Sequence, residues 1–349
     1  MRRVLDRIRP AVRGLAPGYF ALVMATGIIA TGMAGEGRHV LAKVVVAVTI
    51  AAYCVLIVLT LWRVERYPHW VAEDLTDPGR GFGFLTFVAG TNVLAAHLAI
   101  MGYYHWTAGL VAAAGLAWLL LGYVVPSAAF LTRHAASPLT AANGTWFMWV
   151  VSSQSVAVAA TSLEPHVGVG RQVIAVVAVL TWSVGVFLYG LAGILVVLRE
   201  MLYDFQAEDL DPSYWIAMGA SSITVLAGAG ILDMSDTPII DSMHDLVTGL
   251  TVMCWALSTW LIPALVGALW WRHVAHHIPL RYDAVLWSMI FPLGMYAVAS
   301  MYLGDAEHLH FIRLIGEVEL WVAFAAAIAV FVGLLHRIGT ILLARPQES

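Results

Sequence analysis

Residues 284–303, AVLWSMIFPLGMYAVASMYL, form a run of twenty residues without Asp, Glu, Lys or Arg. About 20 apolar residues in a helix cross the hydrocarbon core of a bilayer, and every backbone amide there must be paired within its own segment. The run therefore predicts a membrane-spanning helix. A transmembrane β-strand would alternate apolar and polar residues, and this stretch does not.

Nine further uncharged runs of similar length accompany it. They are 15–34, 44–62, 82–101, 107–130, 139–162, 172–198, 213–232, 246–270 and 320–336. The remaining loops are too short to hold a second folded domain, and short links make antiparallel neighbours. We therefore predict an all-α integral membrane protein. Its ten transmembrane helices form five helical hairpins around a central pore, within a spanning domain 15–336 flanked by tails 1–14 and 337–349.

The composition excludes several classes of protein. The chain has 349 residues, of which 61% are hydrophobic and 11% charged, whereas a soluble domain is typically about 25% charged. A net charge of -4 provides no basic field for nucleic acid, and two cysteines cannot form a disulfide framework. We predict a lipid bilayer and a small anion as partners, with no nucleic acid, no metal, no cofactor and no catalytic residue.

The distribution of basic residues predicts the topology. Fourteen Lys and Arg lie in the N-tail, the C-tail and the loops between even and odd spans, against four in the alternate loops. By the positive-inside rule both termini are cytoplasmic, in the inner (plasma) membrane. Five arginines before the first span also fit a secretory signal, but removing that span would spoil the charge alternation.

Polar and small residues concentrate in the odd spans, whereas the even spans are nearly continuous Val, Leu, Ala and Trp. This pattern predicts odd helices around a lumen and even helices facing lipid. The pore-lining candidates are Thr26, Gly27, Asn92, His97, Ser152, Gln154, Ser221, Ser222 and Ser288. An alternative interpretation is that the small residues and hydroxyls only let the helices pack closely and hydrogen-bond to one another.

Ionisable groups near the membrane suggest two further hypotheses. His97 lies deep in a span, where an ionisable residue is functional by default, although a neutral imidazole bonded to a neighbouring helix is the simpler alternative. A single deep histidine does not provide the paired ligands that a membrane haem needs. Four aspartates follow the seventh span and form either solvated helix ends or a titratable vestibule that His97 could join. They are Asp233, Asp236, Asp241 and Asp245.

Phe291 and Pro292 lie within the ninth span. Proline lacks an amide hydrogen, so Pro292 frees the Ser288 carbonyl and favours a bend. The bend can turn the Phe291 ring into a lumen, where a hydrophobic constriction gates by excluding water. A packed phenylalanine beside a tolerated kink is the alternative.

Several short stretches together resemble the tellurite-resistance and dicarboxylate transporter family, which includes bacterial tellurite-resistance proteins, yeast malate permeases and plant slow anion channels. The stretches are Pro17-Gly18-Tyr19-Phe20, Met24-Ala25-Thr26-Gly27, Trp146 to Ala160, Tyr214-Trp215-Ile216 with Met218-Gly219, and Phe291-Pro292-Leu293-Gly294. The resemblance implies a homotrimer with one pore per protomer, lined by the five odd helices. It also implies that a phenylalanine occludes the pore, at the position of Phe291.

We therefore expect a membrane anion channel or transporter, not an enzyme, that passes small inorganic anions or malate-like four-carbon dicarboxylates. A proton-coupled dicarboxylate carrier is the alternative within the same class, and a membrane redox protein is the alternative from a different class. The resemblance does not transfer a substrate, and tellurite resistance is only a family trait.

Overall fold

The computed structural model describes residues 2–132, 137–168, 170–234 and 238–343, with side chains from residue 8 onward. These residues form twelve α-helices and no strand. The helices are α1 (Arg2–Arg13), α2 (Ala21–Gly35), α3 (His39–Arg66), α4 (Pro68–Thr76), α5 (Leu85–Ile100), α6 (Tyr104–Leu131), α7 (Met148–Leu163), α8 (Arg171–Leu202), α9 (Ile216–Leu232), α10 (Pro238–Trp270), α11 (Trp287–Ala306) and α12 (His310–Leu343). A π-helical turn, Trp271–Ala275, extends α10.

Nine helical segments within the described residues are long and apolar enough to cross a membrane. They contain α2, α3, α5, α6, α8, α9, α10, α11 and α12. The remaining predicted span, 139–162, corresponds to the 3-10 turn Gly144–Phe147 followed directly by α7. The polar run SSQS at 152–155 interrupts its apolar sequence and sets it apart from the other nine.

Burial divides these segments into two groups. In the segments containing α2, α5, α9 and α11, between 78% and 89% of the apolar stretch is buried, against 6% to 33% in those containing α3, α6, α8, α10 and α12. Most residues of α7 are buried as well. This division agrees with the predicted alternation of inner odd helices and outer even helices.

The five inner helices form a closed ring of contacts. α2 packs on α5, α5 on α7, α7 on α9, α9 on α11, and α11 returns to α2. Each inner helix also packs extensively on the outer helix that follows it in the chain. Small residues allow this close approach: a Cβ at Gly27 of α2 would lie 2.8 Å from Cγ1 of Val93 on α5.

Every inner helix begins with a 3-10 turn. The turns are Pro17–Phe20, Gly81–Phe84, Gly144–Phe147, Pro212–Trp215 and Ala284–Leu286. Each turn contacts the turns of the neighbouring inner helices, so they form a second ring at one end of the bundle, here called the turn end. The amino ends of five helices, with their partial positive charge, therefore converge there.

Candidate functional site

Among the described residues, the inner helices and the turns at their amino ends border two cavities. The larger, here called the distal cavity, has a volume of about 380 Å³ and receives side chains from all five inner helices. The lining includes one residue from each helix in the list Thr31, Val93, Thr161, Leu226 and Met295. A space lined by every inner helix lies on the axis of the ring.

Polar groups gather at the rim of the distal cavity. The Oγ1 atom of Thr31 lies 3.1 Å from Nδ1 of His97. The ring of His166 stacks on that of Tyr104, with centroids 3.9 Å apart, and both residues line the cavity. Asp233 completes the rim, and burial raises the pKa of its carboxyl. This end of the axis therefore carries titratable groups.

The smaller cavity, here called the turn-end cavity, has a volume of about 190 Å³ and is bordered by the converging 3-10 turns and the residues just before them. Its lining includes at least one residue from the amino end of each of the five inner helices, namely Gly18, Gly83, Thr145, Asp211 and Ser288. No described residue lines both this cavity and the distal cavity.

Among the residues that the structure describes, three ionisable side chains line the turn-end cavity. Arg80 places its Nε 3.1 Å from Oδ1 of Asp74 and keeps half of its side chain exposed. Asp211 accepts a hydrogen bond from the amide of Ser213 at 2.7 Å. Burial raises the pKa of the Asp211 carboxyl, although this hydrogen bond and the charge of Arg272 act in the opposite direction. The exposed Asp283 likewise accepts a hydrogen bond from the amide of Val285.

Phe291 and Pro292 lie along α11 between residues that line the two cavities. Ser288 lines the turn-end cavity and Met295 lines the distal cavity, and residues three to four apart share one face of a helix. The Phe291 side chain is only 1% exposed. The helix α11 continues through Pro292 without interruption.

Several predicted pore-lining side chains contact outer helices. Thr26 accepts a hydrogen bond from Thr49 of α3 at 2.9 Å. Ser221 and Ser222 both bond to Ser258 of α10, at 2.6 and 3.1 Å. These are helix–helix hydrogen bonds of the kind that the packing interpretation describes, and the assignment of these residues to a pore lining stays a prediction.

Gln154 also bonds to an outer helix, and three other candidates bond within the inner ring or within α7. Gln154 donates to the Trp182 carbonyl of α8 at 3.1 Å. Asn92 donates to Ser155 at 3.0 Å, which joins α5 to α7, while Ser152 donates to the carbonyl of Trp149. His97, 2% exposed, contacts Thr31 of α2. Of the nine pore-lining candidates, Ser288 alone borders either of the two cavities.

The aspartates after the seventh span separate in the structure. Asp233 borders the distal cavity, whereas Asp241 and Asp245 are exposed at the start of α10. Asp236 lies outside the described residues. The vestibule hypothesis therefore rests on Asp233 among the described aspartates, together with His166, which the sequence analysis did not single out.

Sequence reasoning also missed the turn-end cavity, although a signal for it was present. At four places in the described part of the chain, an Asp or Asn accepts a hydrogen bond from the amide two residues later. These pairs are Asp77 with Gly79, Asn143 with Thr145, Asp211 with Ser213, and Asp283 with Val285. Each pair precedes an inner helix, so the repeated spacing marks four of the five helix starts.

Comparison with known proteins identifies the family. The sequence matches the voltage-dependent anion channel family (SLAC1) over residues 14–335. The chain belongs to this family. Family members are membrane anion transporters or channels, not enzymes, so the redox alternative is set aside. The match covers all five inner helices and both cavities.

Individual relatives agree with this assignment. An uncharacterized transporter of Methanocaldococcus jannaschii is 22% identical over 326 residues, covering 90% of this chain and 90% of the relative. A second one from the same organism is 19% identical over 94% of this chain and 96% of its own length. An uncharacterized membrane protein of Mycobacterium tuberculosis is 52% identical over 152 residues, which are 44% of this chain and 77% of the relative.

Proposed function

We propose that this SLAC1-family protein is a channel or transporter in which small inorganic anions, or malate-like four-carbon dicarboxylates, move along the axis of the inner ring. The proposal rests on the two cavities. All five inner helices border the distal cavity, and residues at the amino ends of the same five helices border the turn-end cavity. Phe291 and Pro292 lie between them along α11 and form the proposed gate, which closes the path by excluding water.

The helix ends at the turn end favour anions. Five helix amino ends converge on this cavity, and helix amino ends attract negative charge. Its lining includes one arginine, Arg80, and two aspartates, Asp211 and Asp283, so the attraction depends on the helix dipoles and is strongest when Asp211 is protonated. Ser288 adds a hydroxyl that can donate to a passing anion. Selection among anions then depends on helix dipoles, backbone groups and hydroxyls, and several small anions can interact with these groups.

The proposed topology has ten spans in five hairpins, with both termini and the turn end in the cytoplasm. The tenth span is α7 with its 3-10 turn, because its twenty residues rise about 30 Å at 1.5 Å per residue and it completes the closed ring. The excess of basic residues on one side supports this orientation. We also propose a plasma-membrane location and a homotrimer, as the family resemblance implies.

Anion-substitution electrophysiology on the purified chain in planar bilayers tests the function. Malate is placed on one side of the bilayer and chloride on the other. For an anion channel we expect the reversal potential to follow the anion gradients and to stay the same when potassium replaces sodium as the cation. A reversal potential that follows the cation gradient, or no current and no isotope flux for any anion, would refute the proposal.

A proton-coupled dicarboxylate carrier is the second candidate, because Asp233 and His166 both line the distal cavity. It predicts malate uptake into proteoliposomes that saturates and rises with an imposed pH gradient. Asp233→Asn and His97→Ala would weaken that coupling, whereas the exposed Asp245→Asn would not. Uptake that is unsaturated and independent of the pH gradient would exclude the carrier and leave the channel.

A further inference from the structure

An apolar crevice opens on the outside of the bundle near the turn end. It has a volume of about 250 Å³ and lies between the exposed helices α3 and α6. Leu61 and Val64 of α3 line it and are exposed, and Leu121 of α6 also lines it. Its floor includes Phe20 and Phe87, whose rings meet edge to face at 5.3 Å. The crevice therefore faces the surrounding lipid.

Basic groups border this crevice at the turn end. Arg63 lines it and binds Asp74 at 2.6 Å, and the same carboxylate also pairs with Arg80. Because two guanidinium groups share one carboxylate, the trio keeps a net positive charge. Arg63 also donates to the backbone carbonyl of Arg13, and the Arg13 guanidinium lies 5.1 Å from the ring centroid of the exposed Trp70.

Helix α1 extends the basic border. Val12 is buried and Ile8 half-buried, whereas Arg9 and Arg13 are exposed, so the apolar side faces the bundle and the basic side faces outward. The sequence of α1 holds five arginines and one aspartate. A basic amphipathic helix of this kind lies in the membrane interface and attracts anionic headgroups.

We propose that this crevice is a binding site for an anionic phospholipid. One acyl chain fills the apolar cleft between α3 and α6, and the phosphate lies beside Arg13, since guanidinium groups bind phosphate with charge-assisted hydrogen bonds. Trp70 lies at the level of the headgroup, where tryptophan is favoured in membrane proteins. The proposal depends on the membrane assignment, and it does not depend on which anion is transported.

Native mass spectrometry of the full chain tests the charge requirement. Phosphatidylglycerol and phosphatidylcholine with the same acyl chains are titrated onto delipidated protein in detergent. We expect tighter binding of phosphatidylglycerol, and Arg13→Gln should weaken that binding about fivefold, as for the loss of one basic residue at a membrane surface. The matched control is Arg38→Gln, which removes an exposed arginine at the other end of the bundle.

Two size variants test the crevice itself. Thr60→Trp places a large side chain in the cleft, whereas Val58→Trp makes a similar change at an exposed position of α3 outside it. Thr60→Trp should lose phosphatidylglycerol and Val58→Trp should retain it, and Leu121→Trp fills the cleft from α6 if Thr60→Trp fails to fold. Equal binding of the two lipids by the unaltered chain, or equal retention by the filled and control variants, would overturn the proposal.

Discussion

Gly219 of α9 faces the ring of Phe291 on α11 at close range. A Cβ at position 219 would lie 3.3 Å from Cε1 of Phe291 and 2.9 Å from Cγ of Pro292. The missing side chain thus lets two inner helices approach each other at the level of the proposed gate. The position of the ring therefore depends on a glycine in another helix.

Gly219→Ala should lower the stability of the fold by about 1–3 kcal/mol, because an added methyl group overpacks the contact with Pro292. Thermal unfolding in detergent measures the change. Gly249→Ala is the matched control, since a Cβ there meets no described atom within 4 Å and alanine favours a helix. Equal melting temperatures for the two variants would show that the contact at Gly219 is loose.

Phe291→Ala should increase anion conductance several-fold, because removing the ring would widen the proposed hydrophobic constriction and let water enter it. Single-channel or macroscopic recording in planar bilayers measures the effect. Phe187→Ala is the control, since that ring is 81% exposed on an outer helix. An unchanged current in a variant that remains folded would remove Phe291 from the gate.

Asp211→Asn should make anion flux from the turn end less dependent on pH. Burial raises the pKa of Asp211, so in the natural protein the carboxyl loses its charge as the pH on that side falls, and repulsion of anions decreases. Asp211 lines the turn-end cavity, and a unit charge near an ion contributes about 1 kcal/mol even in bulk water, so loss of this charge should change ion occupancy about fivefold or more. Flux of the variant at neutral pH should therefore resemble that of the natural protein in acid.

Asparagine keeps an oxygen that can cap the amide of Ser213, so the turn itself is preserved. Asp204→Asn, at an exposed position in the same loop, controls for the change in net charge. An unaltered pH profile in Asp211→Asn would assign the dependence to another group. The charged neighbours that act on Asp211 are Arg272 and Asp283.

Arg80→Gln should reduce anion flux from the turn end. The variant removes the one arginine among the described residues that line this cavity. A unit charge near an ion contributes about 1 kcal/mol even in bulk water, so anion occupancy should fall about fivefold or more. Asp74 keeps its bond to Arg63, so the fold should survive. Arg66→Gln, at an exposed position of α3, should leave the flux unchanged, and an equal loss in both variants would indicate a surface-charge effect.

Arg313→Gln should destabilise the opposite end of the bundle. Arg313 of α12 binds Glu36 just after α2, Asp305 near the end of α11, and Glu317 one turn further along α12. The side chain is 29% exposed, so the expected loss is about 1–2 kcal/mol. We expect the Arg313→Gln variant to melt at a lower temperature than the Arg38→Gln variant. The difference between the two melting temperatures should be smaller at high salt.

The sequence by itself determined that the chain is helical and membrane-embedded, and it separated the inner helices from the outer ones. These properties depend on local features, since the length and hydropathy of a segment decide whether a bilayer accepts it. The polar run at 152–155 is an instructive case, because it makes α7 the least apolar inner helix and still leaves it buried. Its burial reflects contacts with α5, α8 and α9.

Only the tertiary structure decided which side of each inner helix faces the axis. Hydroxyls such as Ser221 and Thr26 serve equally well as lumen groups or as partners for a neighbouring helix, and the contacts direct both toward outer helices. Arg80 and Asp211 meet at one cavity although they are far apart in the chain. The rotation of a helix about its own axis depends on the helices around it, and a helix buried on every side has no polar face in its sequence to reveal that rotation.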